Sequence, residues 1–186
     1  MLSRERPFFK YKSIIFVVAF LFSNLCIYEL KSEEVLLSKK DFLEEAFSAD
    51  TPKNKSLFFK GEVKEISRKI MGHKYSKVRF KYWRSDSRTA WILERIGKVM
   101  PITAGFIIDN CAIASVHVLV YRESHGWEIK YPFFRDQFEG MTLNADYKLS
   151  KKVDGITGAT LSVKSMGKMA ALSLALHSFV PEITCP

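Results

Sequence analysis

The sequence is short of the residues that build metal and haem cages. Its 186 residues include 3 cysteines and 4 histidines. No pair of cysteines forms a CxxC or CxxCH motif, and His73, His117, His125 and His177 stand apart from one another. Local spacing therefore excludes a zinc ribbon, a thioredoxin-type dithiol and a c-type haem attachment, and each histidine reads as structural. There is no internal repeat and no low-complexity tract. Nor does any apolar run reach the ~20 residues of a comfortable bilayer span. The net charge is +9, but no basic stripe interleaved with aromatics appears, so nucleic acid is not an expected partner. Part of the excess sits in Arg4, Arg6, Lys10 and Lys12, and elsewhere Lys60, Lys64, Arg68 and Lys69 are interspersed with Glu62 and Glu65.

Those four N-terminal cations precede "SIIFVVAFLFSNLCIY" (13–28), which the polar "ELKSEE" follows. A basic flank, a short apolar stretch and a polar exit predict a signal peptide or an uncleaved membrane anchor over residues 1–32. Export to the periplasm or to the outer face of the cytoplasmic membrane is the expectation. Leu25 stands where a lipid-attachment site before Cys26 would carry a small residue. With the leader gone, Cys111 and Cys185 remain; they could pair outside the cytoplasm, though two distant cysteines do not establish it.

Residues 33–75 read as a helical extension. Phe42, Leu43, Ala46 and Phe47 recur at helical spacing, with Ser38 or Asp41 as the cap. "TPKNKS" breaks that pattern. A second amphipathic helix follows, with Val63, Ile66 and Ile70 on one side and Gly72 as its stop. Residues 76–180 read as the main domain. Val78, Phe80 and Tyr82 alternate with Arg79 and Lys81, the period of a half-buried strand. "TAWILERI" (89–96), "ITAGFIID" (102–109) and "AIASVHVLVYRE" (112–123) are further strands, the last two joined at Asp109-Asn110. "GWEIKYPFF" (126–134) could add a short strand. Residues 160–179 form an amphipathic helix on Val163, Met166, Ala170, Leu174 and His177, with Gly167 marking close packing. The expected class is α+β: an antiparallel sheet packed against helices, behind an N-terminal signal or anchor segment.

Between the strands and the last helix stands "DGITGAT" (154–160). Small residues before a helix start suit an anion: free N–H groups and the dipole favour a phosphate, and glycines let the backbone approach it. The plainer reading is capping by Thr157 or Thr160. "GATLSVKS" (158–165) comes near the phosphate loop G-x-x-x-x-G-K-[ST], but Val163 replaces its second glycine. With antiparallel strands around it, a nucleotide-binding role is the weaker reading.

"DGITGATLS" resembles the flavinylation motif D-x-x-[ST]-G-A-[ST] of the FMN-binding domain family, which includes the FMN-carrying subunits of sodium-pumping NADH:quinone reductase and of the Rnf complex. The resemblance continues through "GKVMPITAGFIIDNCAIASVHVLVYRESHGWEI" (97–129) and implies an FMN-binding domain over 76–180. Asp154, Thr157, Gly158, Ala159 and Thr160 fill the motif's fixed positions and Gly155 a free one. The resemblance implies that Thr160 is esterified to the phosphate of FMN by a flavin transferase of the ApbE type. It also implies an electron carrier rather than a stand-alone enzyme, working with a membrane redox protein as donor or acceptor. Candidates for the ring pocket are Tyr121, Glu123, Trp127 and Phe134; for any single aromatic among them sheet core and turn packing is the favoured reading, and Glu123 reads more readily as a solvated charge. The alternative is a non-redox envelope interaction module with an unused loop of this kind.

Overall fold

The computed structural model describes residues 33–48 and 50–185; the expected signal or anchor segment, 1–32, lies outside them. In chain order the elements are β1 (Glu34–Val35), α1 (Lys39–Phe47), β2 (Lys55–Phe58), α2 (Gly61–Met71), β3 (Arg79–Ser85), β4 (Arg88–Ile96), β5 (Pro101–Asp109), β6 (Ala112–Tyr121), α3 (Pro132–Arg135) and α4 (Thr160–Ser178). Short 3-10 turns occupy Trp127–Lys130 and Asp136–Phe138. Among the described residues no helix is long and apolar enough to cross a membrane.

One antiparallel sheet of six strands, ordered β1-β6-β5-β4-β3-β2, forms the middle layer. Strand alternation separates its two faces. Phe80, Tyr82, Trp91, Leu93, Phe106, Ile108 and Val118 point to one face, where α2 and α4 bury Ile66, Ile70, Met166 and Met169. Trp83, Ala90, Ile107 and Leu119 point to the other, under Phe42, Leu43 and Ala46 of α1. The expected α+β class is thus the observed one.

The local signals explain most element ends. The Ser38 side chain accepts from the Asp41 backbone N–H at 3.1 Å, the expected cap of α1. The Gly72 N–H closes α2 on the Arg68 carbonyl. The β5–β6 turn falls one residue later than the sequence suggests: Asn110 and Cys111, with φ of 48° and 64°, are its central pair, and Asp109 faces Ala112. Two positive φ values give the hairpin a twist matching that of its strands.

Three local expectations change. Lys55–Phe58, inside and just beyond the expected break, is a strand paired with β3. Residues 126–134 form a 3-10 turn and α3 rather than a strand. Gly167 marks no close packing, since a Cβ there would meet nothing within 4 Å. Helix α4 is amphipathic only over its first half. From Met169 to His177 every residue is buried, because the 143–156 loop and the C-terminal tail pack on the core as well, through Leu143, Leu149, Ile156 and Ile183.

That tail is fastened by a disulfide between Cys111 and Cys185, which the sequence left open. The bond spans 74 residues; in the chain-entropy account a loop of that size contributes about 4 kcal/mol. Cys185→Ser should therefore lower stability by about 3–4 kcal/mol in chemical denaturation of the oxidised protein, with the sheet intact by circular dichroism.

His177 gives the fold an acid-sensitive point. It is fully buried, and desolvation holds its pKa down at about 4 against an ordinary 6.5. The unfolded chain binds the extra proton first. The stability from keeping this ring neutral is therefore complete above about pH 6.5 and is lost as pH falls toward 4. The melting temperature measured across that range should drop more steeply for the wild type than for His177→Gln.

Candidate functional site

The loop before α4 is built from the 154–160 motif. The Asp154 backbone N–H donates to Gln137 Oε1 at 2.8 Å, tying the loop to the Asp136–Phe138 turn. The Ala159 N–H then donates to the Ile156 carbonyl at 3.0 Å, closing a tight turn. Gly158 is its third residue, at φ 81°, a position that a side chain would strain. Gly155 does not use its freedom: its φ is ordinary and the space around it open.

Ala159 is buried and begins α4 with no side-chain cap. The first intrahelical bond runs from the Val163 N–H to the Ala159 carbonyl at 2.9 Å. The N–H groups of Thr160, Leu161 and Ser162 thus precede the helical ladder. Neither Thr157 nor Thr160 caps the helix, so the plainer reading of these threonines is not realised. Both side chains are exposed, and Lys164 stands one turn further along α4, also exposed.

The wall beside this helix start comes from the end of β6. Tyr121 is buried, and its hydroxyl donates to the His125 carbonyl. Burial, reinforced by the nearby Glu123 and Glu128 carboxylates, pushes its pKa up to about 12, so the phenol keeps its proton. Glu123 Oε1 accepts the backbone N–H groups of Lys98, Val99 and Met100, the last two at 2.7 and 2.9 Å. One carboxylate oxygen thereby holds the β4–β5 turn. Gly126 follows at φ 79°; a Cβ there would lie 3.1 Å from both Ala159 Cβ and Ser162 Oγ. The 121–126 segment and the first turn of α4 are therefore in direct contact.

Trp127 emerges from that contact 46% exposed. Its ring meets Tyr131 edge-on at 5.4 Å, and Tyr131 stacks on Phe133 at 6.2 Å. Tyr131 and Phe133 are exposed too, so an open aromatic strip starts beside the helix that begins at Thr160. Phe134 is fully buried against Phe138 instead. The candidates thus divide. Asp154, Gly155, Thr157, Gly158 and Thr160 are exposed around the turn, with Ala159 tucked beneath. Tyr121 is buried at the end of β6, Glu123 holds the β4–β5 turn, and Trp127 faces outward.

Sequence reading overlooked Ser162, Tyr131 and Phe133. Ser162 is a polar residue on a helix face that is otherwise buried, the one signal that would have found it. Tyr131 and Phe133 lay inside a segment read as a strand. Ser165, the serine of the near-match to a phosphate loop, is buried and donates to the Ile96 carbonyl at 2.6 Å. Its hydroxyl serves the core, and among the described residues every strand pairing is antiparallel, so no βαβ unit surrounds it.

Residues 97–175 match the model of the FMN-binding domain family. The matched stretch begins just after β4 and contains both the 121–127 wall and the 154–160 loop. No curated protein matches the chain.

Replacing Glu123 by Ala would leave three backbone N–H groups without their acceptor. We expect a loss of roughly 1–3 kcal/mol in chemical denaturation, since three amides, of which Met100's is part-buried, would lose a charged acceptor. Hydrogen exchange of the Lys98, Val99 and Met100 amides should speed up in the same variant.

Proposed function

We propose, with an FMN-binding domain over residues 97–175 as the premise, that this chain carries FMN covalently through Thr160 and moves electrons at a membrane surface. The observation that carries the reading is the exposed Thr160 at the first position of a 19-residue helix. Its hydroxyl stands beside backbone N–H groups that no side chain caps. A phosphate esterified there would meet the positive end of the helix dipole. The fit is chemical as well as electrostatic: a small-residue turn leaves room for a transferase to reach the hydroxyl.

In this reading Thr160 is a tether. Gly158 sets the turn, Ala159 keeps its inner side flush with the wall, and Asp154 orients the loop through its backbone bond to Gln137. Tyr121 and Glu123 keep the wall rigid, and Trp127 offers an aromatic face for a flat ring. The flavin, when bound, supplies one- or two-electron transfer. A flavin transferase of the ApbE type would attach it. A membrane redox protein would serve as donor or acceptor, and the N-terminal segment would carry the chain out of the cytoplasm or anchor it.

The test is co-expression with such a transferase. Protein boiled in detergent should stay fluorescent and gain one FMN by intact mass, with the modified peptide containing Thr160. Thr160→Ala should lose all of it; Thr160→Ser should retain it, because the acceptor hydroxyl survives. Unmodified, colourless wild-type protein would overturn the proposal. Fractionation of the native host should place the fluorescent band with the envelope.

A further inference from the structure

At the far end of α4 from Thr160, three potential metal ligands converge. Cys111 Sγ, Cys185 Sγ and a ring nitrogen of His177 all lie within 4.8 Å of one another. Cys111 is held by the β5–β6 turn, His177 by the last turn of α4, and Cys185 by the C-terminal tail. His177 is fully buried and its Nε2 has no hydrogen-bond partner among the described residues. A buried polar atom without a partner is costly and uncommon, and it belongs to a ring that stands beside two sulfurs.

The other ring nitrogen is already oriented. His177 Nδ1 lies 2.7 Å from Thr89 Oγ1, which also accepts the Trp91 indole N–H at 2.8 Å. With the imidazole proton on Nδ1, that proton goes to the Thr89 oxygen and the Nε2 lone pair is free. This is the arrangement of a metal-ligating histidine, whose second nitrogen is fixed by a hydrogen bond. A pocket of about 250 Å³, lined in part by Cys111, His177, Glu182 and Thr184, provides access.

We infer that, once the Cys111–Cys185 bond is reduced, Cys111, Cys185 and His177 form a zinc site of the Cys2His type, with water in the fourth position. The reductant is a dithiol. It gives two electrons and two protons to the S–S bond, which breaks into two thiols, and leaves as its own disulfide. Zn2+ then displaces the two thiol protons and takes the Nε2 lone pair. Two thiolates and one imidazole suit a borderline-soft cation that accepts tetrahedral geometry. Zinc would hold the tail on the β5–β6 turn in a reducing compartment, where the covalent link fails. The inference does not depend on the flavin reading.

The test uses the full-length protein, reduced anaerobically with a phosphine and then titrated with Co2+. Expected are one equivalent bound, a thiolate-to-cobalt charge-transfer band, and tetrahedral d–d bands to the red of flavin absorption, all bleached by Zn2+. The oxidised protein should show none of these. Thr89→Val should weaken binding roughly 10–100-fold, as loss of an orienting partner does. Cys185→Ser, which removes one of the two thiolates, should lose at least half of the charge-transfer intensity at one equivalent. His177→Gln, checked for folding in the oxidised form, should lose the tetrahedral bands. Reduced wild type without cobalt bands, a His177→Gln spectrum equal to wild type, or collapse of near-ultraviolet dichroism on reduction even with zinc present would each overturn the inference.

Discussion

Burial of α4 against one face of the sheet is the constraint that places everything else. A helix with nine consecutive residues, Met169–His177, inside the protein cannot rotate or slide, because each small displacement opens gaps in a close-packed interior. Its first residue is consequently fixed in space, with Ser165 bonded to the end of β4 and Ala159 and Ser162 pressed on Gly126. The exposed Thr160 is an ordinary surface side chain in its surroundings. It stands at a defined point only because the rest of its helix has no alternative position.

The same helix explains why the wall and the loop meet. Tyr121 ends β6 inside the core, and the chain must leave the sheet there. Gly126 lets it pass within contact distance of the helix start, and Trp127 is the first large side chain beyond that contact. Glu123, between them, gathers three donors from the neighbouring turn and so locks two strand connections to one another. Rigidity at this end of the molecule thus comes from a few polar contacts laid over an apolar interior.

Much of this was legible in the sequence. Alternation at Phe80 and Tyr82, the helical repeat from Val163 to His177, the cap at Ser38 and the stop at Gly72 each report a local preference that the fold keeps. The 154–160 loop was readable because its small residues make no sense as core. What escaped depends on distant partners. Lys55–Phe58 has no strand pattern of its own and becomes one through β3. Tyr131 and Phe133 share their residue types with a strand, so only the turn at Gly126 reveals that they face outward. Val78, placed by its spacing on the alternating face of β3, is 84% exposed, because the strand starts after it. Glu123 looked like a solvated charge, and nothing in its neighbours announces the three amides it serves. The full burial of α4 was hidden for the same reason: the tail and the 143–156 loop that cover it lie far away or carry no periodicity.

The order of the strands has a consequence for what counts as a unit. The stretch that carries the family likeness, 97–175, supplies only β5 and β6, the inner pair on one side of the sheet. β4 binds the open edge of β5 through eight residue pairs, and β1 and β2, which close the two margins, come from the segment ahead of it. Cut at the borders of the likeness, the polypeptide would expose raw hydrogen-bonding edges and a half-uncovered apolar floor. The stretch that carries the likeness and the stretch that physics requires for a self-sufficient body are, in this molecule, two different lengths of chain.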